Sequence, residues 1–144
     1  MRFKDTHSYD MFEMLPPPAV SCPGSLACRA EIASTMSDAL KPFDRYDIAA
    51  SMSKLLGRDI SKFMLDAYTA ESREDHIPPL DTAIAFDIAT GTNSLINLAA
   101  SKVGARVLVG KDALNAELGR LQRVSDEALK KAKSLKKALG ESHD

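Results

Sequence analysis

The chain has 144 residues, 44% of them apolar and 27% charged, with a net charge of −1 and no tryptophan. That length suits one compact domain plus an extension. A core without tryptophan and with few aromatics must be built from Leu, Ile, Ala and Met, which favours helices over sheets. The charge balance excludes bulk attraction to polyanions, so a phosphate-binding face has to come from local clustering. Residues 41–73 carry six basic and five acidic side chains, and residues 111–144 carry eight and six; the rest of the chain is acidic in balance.

No run approaches the ~18 apolar residues that span a bilayer. The opening MRFKDTHSYDMFEM lacks the apolar centre of a signal peptide. A cytoplasmic protein with no membrane contact is therefore expected. Cys22 and Cys28 stand six apart in a loop-like stretch and read as free thiols in a reducing compartment. A metal site would need two further ligands, with His7 as the one nearby candidate, so no metal or other cofactor is expected.

In chain order, residues 1–23 read as a flexible N-terminal arm. LPPPAVSCPG holds four prolines and a glycine and suits neither helix nor strand. Its Phe12, Met14 and Leu15 are either a tail or a segment that docks on a partner subunit. A first helix is predicted from Ser25, as cap, to Leu40. Its apolar face is Leu26, Ile32, Met36, Ala39 and Leu40, and Pro42 stops it. A second begins after the cap Asp44, with Asp47 in its first turn. It turns Ile48, Met52, Leu55 and Leu56 to one side and ends at Gly57, a left-handed terminator. After a turn in which Ile60 points inward, Ser61 caps a third helix that runs to about Ser72, with Met64, Leu65 and Tyr68 inward. REDHIPP is a loop. A fourth helix covers Leu80–Thr90, with Ile84 and Ile88 on one face and Phe86 flanking it, and stops at Gly91. A fifth covers Asn93–Val103. Arg106–Val109 is β-like, a packed linker, a lone strand, or one strand of a pair formed between two chains.

Residues 111–139 form the longest predicted helix. Leu114, Leu118, Leu121, Ser125, Ala128, Ala132, Leu135 and Leu139 alternate by four and three, the heptad spacing of a coiled coil. An intermolecular coiled coil is the expected use of this seam, and a helix folded back on its own domain is the alternative. The chain thus divides into an arm (1–23), a helical domain (24–105), and a linker with a dimerising helix (106–144).

The stretch DRYDIAASMSKLLGRDISKFMLDAYTAES meets the demands of a helix-turn-helix. It has a small residue early in the first helix (Ala49), a sharp turn (Gly57), an apolar residue before the second helix (Ile60), and anchors within it (Leu65, Tyr68). With two short helices behind it, a five-helix domain of lambda-repressor type is expected. This stretch, the PL…A…ATGT…L..LA…G pattern of residues 79–104, and LVGKDALNAELGRLQ together resemble a family of small proteins of Mu-like transposable phages and prophages. The resemblance covers roughly residues 25–140 and leaves out the arm. Its most specific pieces are MLDAYTAES, the ATG at 89–91 and VGKDAL at 109–114. It implies a lambda-repressor-like fold, a phage context and a role as a DNA-binding regulator.

On that reading the third helix shows Lys62, Phe63, Asp66, Ala67 and Thr69 outward. Lys62 can donate to guanine or phosphate, Thr69 can touch a base edge or phosphate, and Phe63 or Ala67 can meet a thymine methyl. Asp66 repels phosphate unless it accepts from cytosine. Ser61 sets the helix start, and Arg45, Lys54, Arg58 and Arg73 are candidates for holding the DNA backbone. The lysine-rich KKAKSLKK lacks interleaved aromatics and reads as a solvated helix face or as a second, nonspecific nucleic-acid contact. Nothing suggests catalysis: His7, His76 and His143 are scattered, and no phosphate loop or nucleophile elbow is present. Glu71, Glu74, Asp75 and His76 form an acidic patch that reads as solvated loop. Two functions remain in view. One is a homo-oligomeric regulator of duplex DNA, paired through Leu114, Leu118, Leu121, Ala128, Ala132, Leu135 and Leu139. The other is a non-enzymatic adaptor that keeps the fold and binds an unidentified protein.

Overall fold

A computed structural model describes residues 18–73 and 75–141. Among these residues the chain is all-helical, with six α-helices and no strand: α1 (Arg29–Leu40), α2 (Arg45–Leu56), α3 (Lys62–Thr69), α4 (Leu80–Thr90), α5 (Ser94–Lys102) and α6 (Lys111–Glu141). Internal contacts divide the chain into two units, one up to Val107 and one from Leu108 onward. No helix among the described residues is long and apolar enough to cross a membrane.

Local chemistry sets most of the boundaries in the first unit. The Asp44 carboxylate accepts from the amides of Tyr46 (2.7 Å) and Asp47 (3.3 Å) and so caps α2. Gly57 closes α2 at φ 66°, where a side chain would be strained. The Ser61 hydroxyl accepts from Met64 N at 3.2 Å and starts α3. Between them, Ser53 Oγ accepts from Ile60 N at 2.8 Å, which pins the turn to α2 while Ile60 is buried.

The core lies where α2 crosses α4, with α3 packed on α1 and α2, and α5 on α1 and α4. Met36, Met52, Leu65 and Phe86 are fully buried there. Arg29 ties α1 to the end of α3: its guanidinium donates to the carbonyls of Ala67 (3.1 Å), Tyr68 (3.3 Å) and Ala70 (2.9 Å), groups that a helix C-terminus leaves without partners.

Several sequence expectations are corrected. α1 starts at Arg29, not after Ser25, because the Ser25 hydroxyl closes a local turn by donating to the Cys22 carbonyl; Leu26 is exposed as a result. Leu55 is also exposed, and α3 stops at Thr69, short of Ser72. In α4 the structure puts the flanking residue, not the isoleucine face, inside. Phe86 is fully buried, whereas Ile84 and Ile88 are exposed. This helix is apolar on both sides, so periodicity does not select a face. Its polar groups do. Thr90 can be buried because its hydroxyl donates to Phe86 O at 2.8 Å. Asp87, only 7% exposed, accepts from the amides of Leu95 (3.1 Å) and Ile96 (2.9 Å). The start of α5 is thus capped from α4 and not by Asn93, and Ile84 and Ile88 are left on the outside.

Residues 106–109 form no strand. Upstream of α1, Val20 N donates to Lys102 O at 3.0 Å, so this part of the expected arm is tied to the end of α5. Phe12, Met14, Leu15 and His7 lie outside the described residues. Cys22 and Cys28 carry free thiols.

Candidate nucleic-acid interface

Helices α2 and α3 bring Arg45, Lys62, Asp66 and Thr69 into one network. Arg45 Nη1 donates to Asp66 Oδ1 at 2.7 Å and to Thr69 Oγ1 at 2.9 Å. Lys62 Nζ donates to Asp66 Oδ2 at 2.9 Å and also stands 5.7 Å from the centre of the Tyr46 ring. Asp66 is therefore the hub of the face, held by one cation from each helix. The Lys62 ammonium, and then Arg45, hold the Asp66 carboxyl below the usual carboxylate range, and Asp66 in turn raises the Lys62 ammonium. The expected clash between Asp66 and phosphate is offset locally, but the same pairing occupies two cations that a phosphate would want.

Arg58, in the turn, is occupied as well. It donates to Asp81 Oδ2 at 3.0 Å and to Thr82 Oγ1 at 3.0 Å, which links the α2–α3 turn to the start of α4. The hydrogen bond from Arg58 lowers the Asp81 carboxyl. Thr69 donates its own proton to Leu65 O at 3.0 Å, so its hydroxyl is engaged on both sides. Lys54 and Arg73 are exposed, and neither joins an ion pair among the described residues.

Phe63 is the most solvent-exposed large apolar side chain of the face, at 84%. Ala67, expected outward, is buried, because the end of α3 leans onto α1 where Arg29 holds it. Phe63, Met64, Tyr68, Arg73 and His76 surround a shallow hollow of about 300 Å³ beside this end. Glu71, Asp75 and His76 are exposed, Glu74 lies outside the described residues, and no metal-binding cluster of acidic, Cys or His side chains occurs among the described residues.

Sequence reading missed two surfaces or partners. Asp81 is the counter-charge of Arg58 across 23 positions, and nothing in the local pattern announces it. The second is an apolar groove of about 450 Å³ between α4 and α5, lined by Leu80, Ile84, Ile88, Ile96 and Ala99. The signal is present as Leu80, Ile84 and Ile88 at intervals of four, a stripe whose spacing alone does not distinguish a groove wall from core.

In the second unit, α6 carries its leucines outward. Leu114, Leu118, Leu121 and Leu135 are all at least half exposed, as is Leu139. Ala128 and Ala132 are exposed between them. No family model, curated protein or solved structure matches this chain.

Proposed function

We propose that this protein is a homo-oligomeric, non-enzymatic DNA-binding regulator of the helix-turn-helix type. In this reading the first unit has a lambda-repressor-like arrangement, α3 enters the major groove, and α6 pairs between copies. The observation that carries the reading is the α2–turn–α3 unit. It has a capped α2, a left-handed Gly57, a buried Ile60, and a separately capped α3 whose first turn presents Lys62 and Phe63 at the surface. Recognition helices read base edges from their first turns. In this role Lys62 exchanges Asp66 for a base or phosphate, and Arg45 keeps Asp66 oriented and partly neutralised. Lys54, Arg58 and Arg73 contact the backbone.

A second reading is favoured by the α4–α5 groove, an exposed apolar surface with no charged lining group except Asp87, which is spent on the α5 amides. Such a groove suits an apolar protein segment, and it makes an adaptor the alternative function.

Selection of bound duplex fragments by the purified full chain, followed by fluorescence titration at several salt concentrations, separates the two. For a DNA reader, Lys62→Ala weakens the selected site by about one to two orders of magnitude and relaxes preference at about one base pair. Lys54→Ala weakens all sequences alike and flattens the salt slope by about one unit. A parent protein with no salt-dependent binding to any duplex removes the DNA reading and leaves the adaptor.

A further inference from the structure

Helix α6 is a 31-residue helix whose seam positions all face solvent in a single copy. From the pattern of that seam and the charges beside it, we infer that α6 pairs with α6 of a second copy in antiparallel orientation, with Leu118 layered against Leu135 of the other copy. This inference rests on the reading above that α6 pairs between copies. It adds the orientation and the register.

Two observations carry it. The seam is leucine-rich at both ends and small in the middle, at Ser125, Ala128 and Ala132. A parallel pair stacks the small residues on themselves: three consecutive layers lack leucine while the flanking layers hold two each, and the helices must change their separation along their length. An antiparallel pair centred between residues 126 and 127 evens this out. Leu121 then lies opposite Ala132, and only the Ser125–Ala128 layers are small on both sides. Close packing of knobs into holes favours the smoother profile.

The second observation is charge. Residues 111–126 carry three basic and three acidic side chains, whereas residues 127–141 carry five lysines and two glutamates. Parallel pairing sets the lysine-rich halves side by side. Its flanking positions put Lys131 of each helix against Lys136 of the other, a like-charge contact on both sides of the dimer. Antiparallel pairing sets each lysine-rich half against the neutral half. Lys136 then flanks Asn115, and Lys131 lays its aliphatic stem along Val124. A parallel pair would gain the contact of Val124 with Leu129, but it would do so beside the thinnest layers.

In the antiparallel pair the two first units leave α6 at opposite ends, separated by about 45 Å at a rise of 1.5 Å per residue. A parallel pair would place them side by side.

Disulfide trapping tests the orientation. In a full-length Cys22→Ser/Cys28→Ser background, Leu118→Cys and Leu135→Cys are made singly and together. The antiparallel register predicts that the double variant oxidises to a covalent dimer and that neither single variant does. A spin label on the exposed Lys137→Cys provides a second measurement that leaves the seam intact. The expected separation between copies is about 30 Å for the antiparallel pair, from 21 residues of rise, against roughly 20 Å or less for a parallel one. Efficient self-crosslinking of Leu135→Cys, together with the short spin distance, overturns the orientation and keeps the pairing. Sedimentation of the full chain as a monomer at micromolar concentration overturns the pairing itself.

Discussion

Replacing Asp66 by Asn tests the candidate interface more sharply than removing any one of its cations. The carboxylate accepts from Arg45 at 2.7 Å and from Lys62 at 2.9 Å, and all three groups are partly open to solvent. Pairs of this kind are worth little, so the variant should lose no more than about 1 kcal/mol of stability. Its effect on DNA should be much larger. The substitution deletes one negative charge and releases two cations from the same patch. If both turn to phosphates, the slope of log K against log salt steepens by about two units at 0.9 per contact, and nonspecific affinity at low salt rises. The assay is fluorescence anisotropy with a labelled random duplex from low to physiological salt, with circular dichroism confirming that the fold is kept. An unchanged slope and affinity in a folded variant would refute the placement of this face against DNA. Tighter nonspecific binding with lost preference at one cytosine would keep the placement and give Asp66 a reading role as well.

Two further variants test the scaffold. Asp87→Ala leaves the amides of Leu95 and Ile96 without their buried acceptor; loss of such a charged cap should cost about 2 kcal/mol and lower the melting temperature by roughly 10 °C, and an Asp87→Ala protein that melts with the parent contradicts the capping role. Phe86→Ala, at a fully buried site, should cost about 3–5 kcal/mol, whereas Ile88→Ser, at a site 60% exposed, should cost under about 0.5 kcal/mol; urea unfolding that reverses this order would turn α4 around.

What the sequence revealed follows the range of the forces involved. Asp44, Gly57, Ser61 and Gly91 act on amides or on their own backbone within a few residues, so their roles were readable in place. Ile60, Leu65 and Tyr68 were readable because the spacing left only one inward face. The inner face of α4 was not. Leu80, Ile84 and Ile88 form as good a stripe as Thr82, Phe86 and Thr90, and the choice between them depends on Asp87 reaching α5. Lys62 and Asp66 stand four apart on one helix, a pairing that spacing does allow, but the pairings of the two arginines were hidden for the same reason as the inner face of α4. Arg45 meets Asp66 across 21 positions and Arg58 meets Asp81 across 23, distances at which no periodic rule applies. Counting basic residues near α3 therefore overstated the charge available to phosphate. Ser25 failed as a helix start because its amide and its hydroxyl both donate to the Cys22 carbonyl, which closes a local turn there instead.

This economy of charge has a consequence for how such a protein would hold DNA. With Arg45, Lys62 and Arg58 each tied to a carboxylate, one face has, among the described residues, Lys54 and Arg73 free for phosphate and must break or share an ion pair for each further contact. A single copy should then sit at the weak end of nonspecific affinity, where dissociation constants are on the order of 10⁻⁴ M. Joining two faces through α6 changes the arithmetic without a new contact. An effective concentration in the millimolar range, set against that constant, lifts individual binding by roughly tenfold, provided both faces reach the duplex at once. Whether they do depends on orientation. Helix-turn-helix dimers engage half-sites about 34 Å apart, one turn of DNA. An antiparallel α6 pair holds its attachment points about 45 Å apart, and the segment from Lys102 to Lys111 must supply the adjustment. A parallel pair would have to spread its units outward from one end. The direction in which two leucine seams meet would therefore set which spacing of sites on DNA the protein can grip.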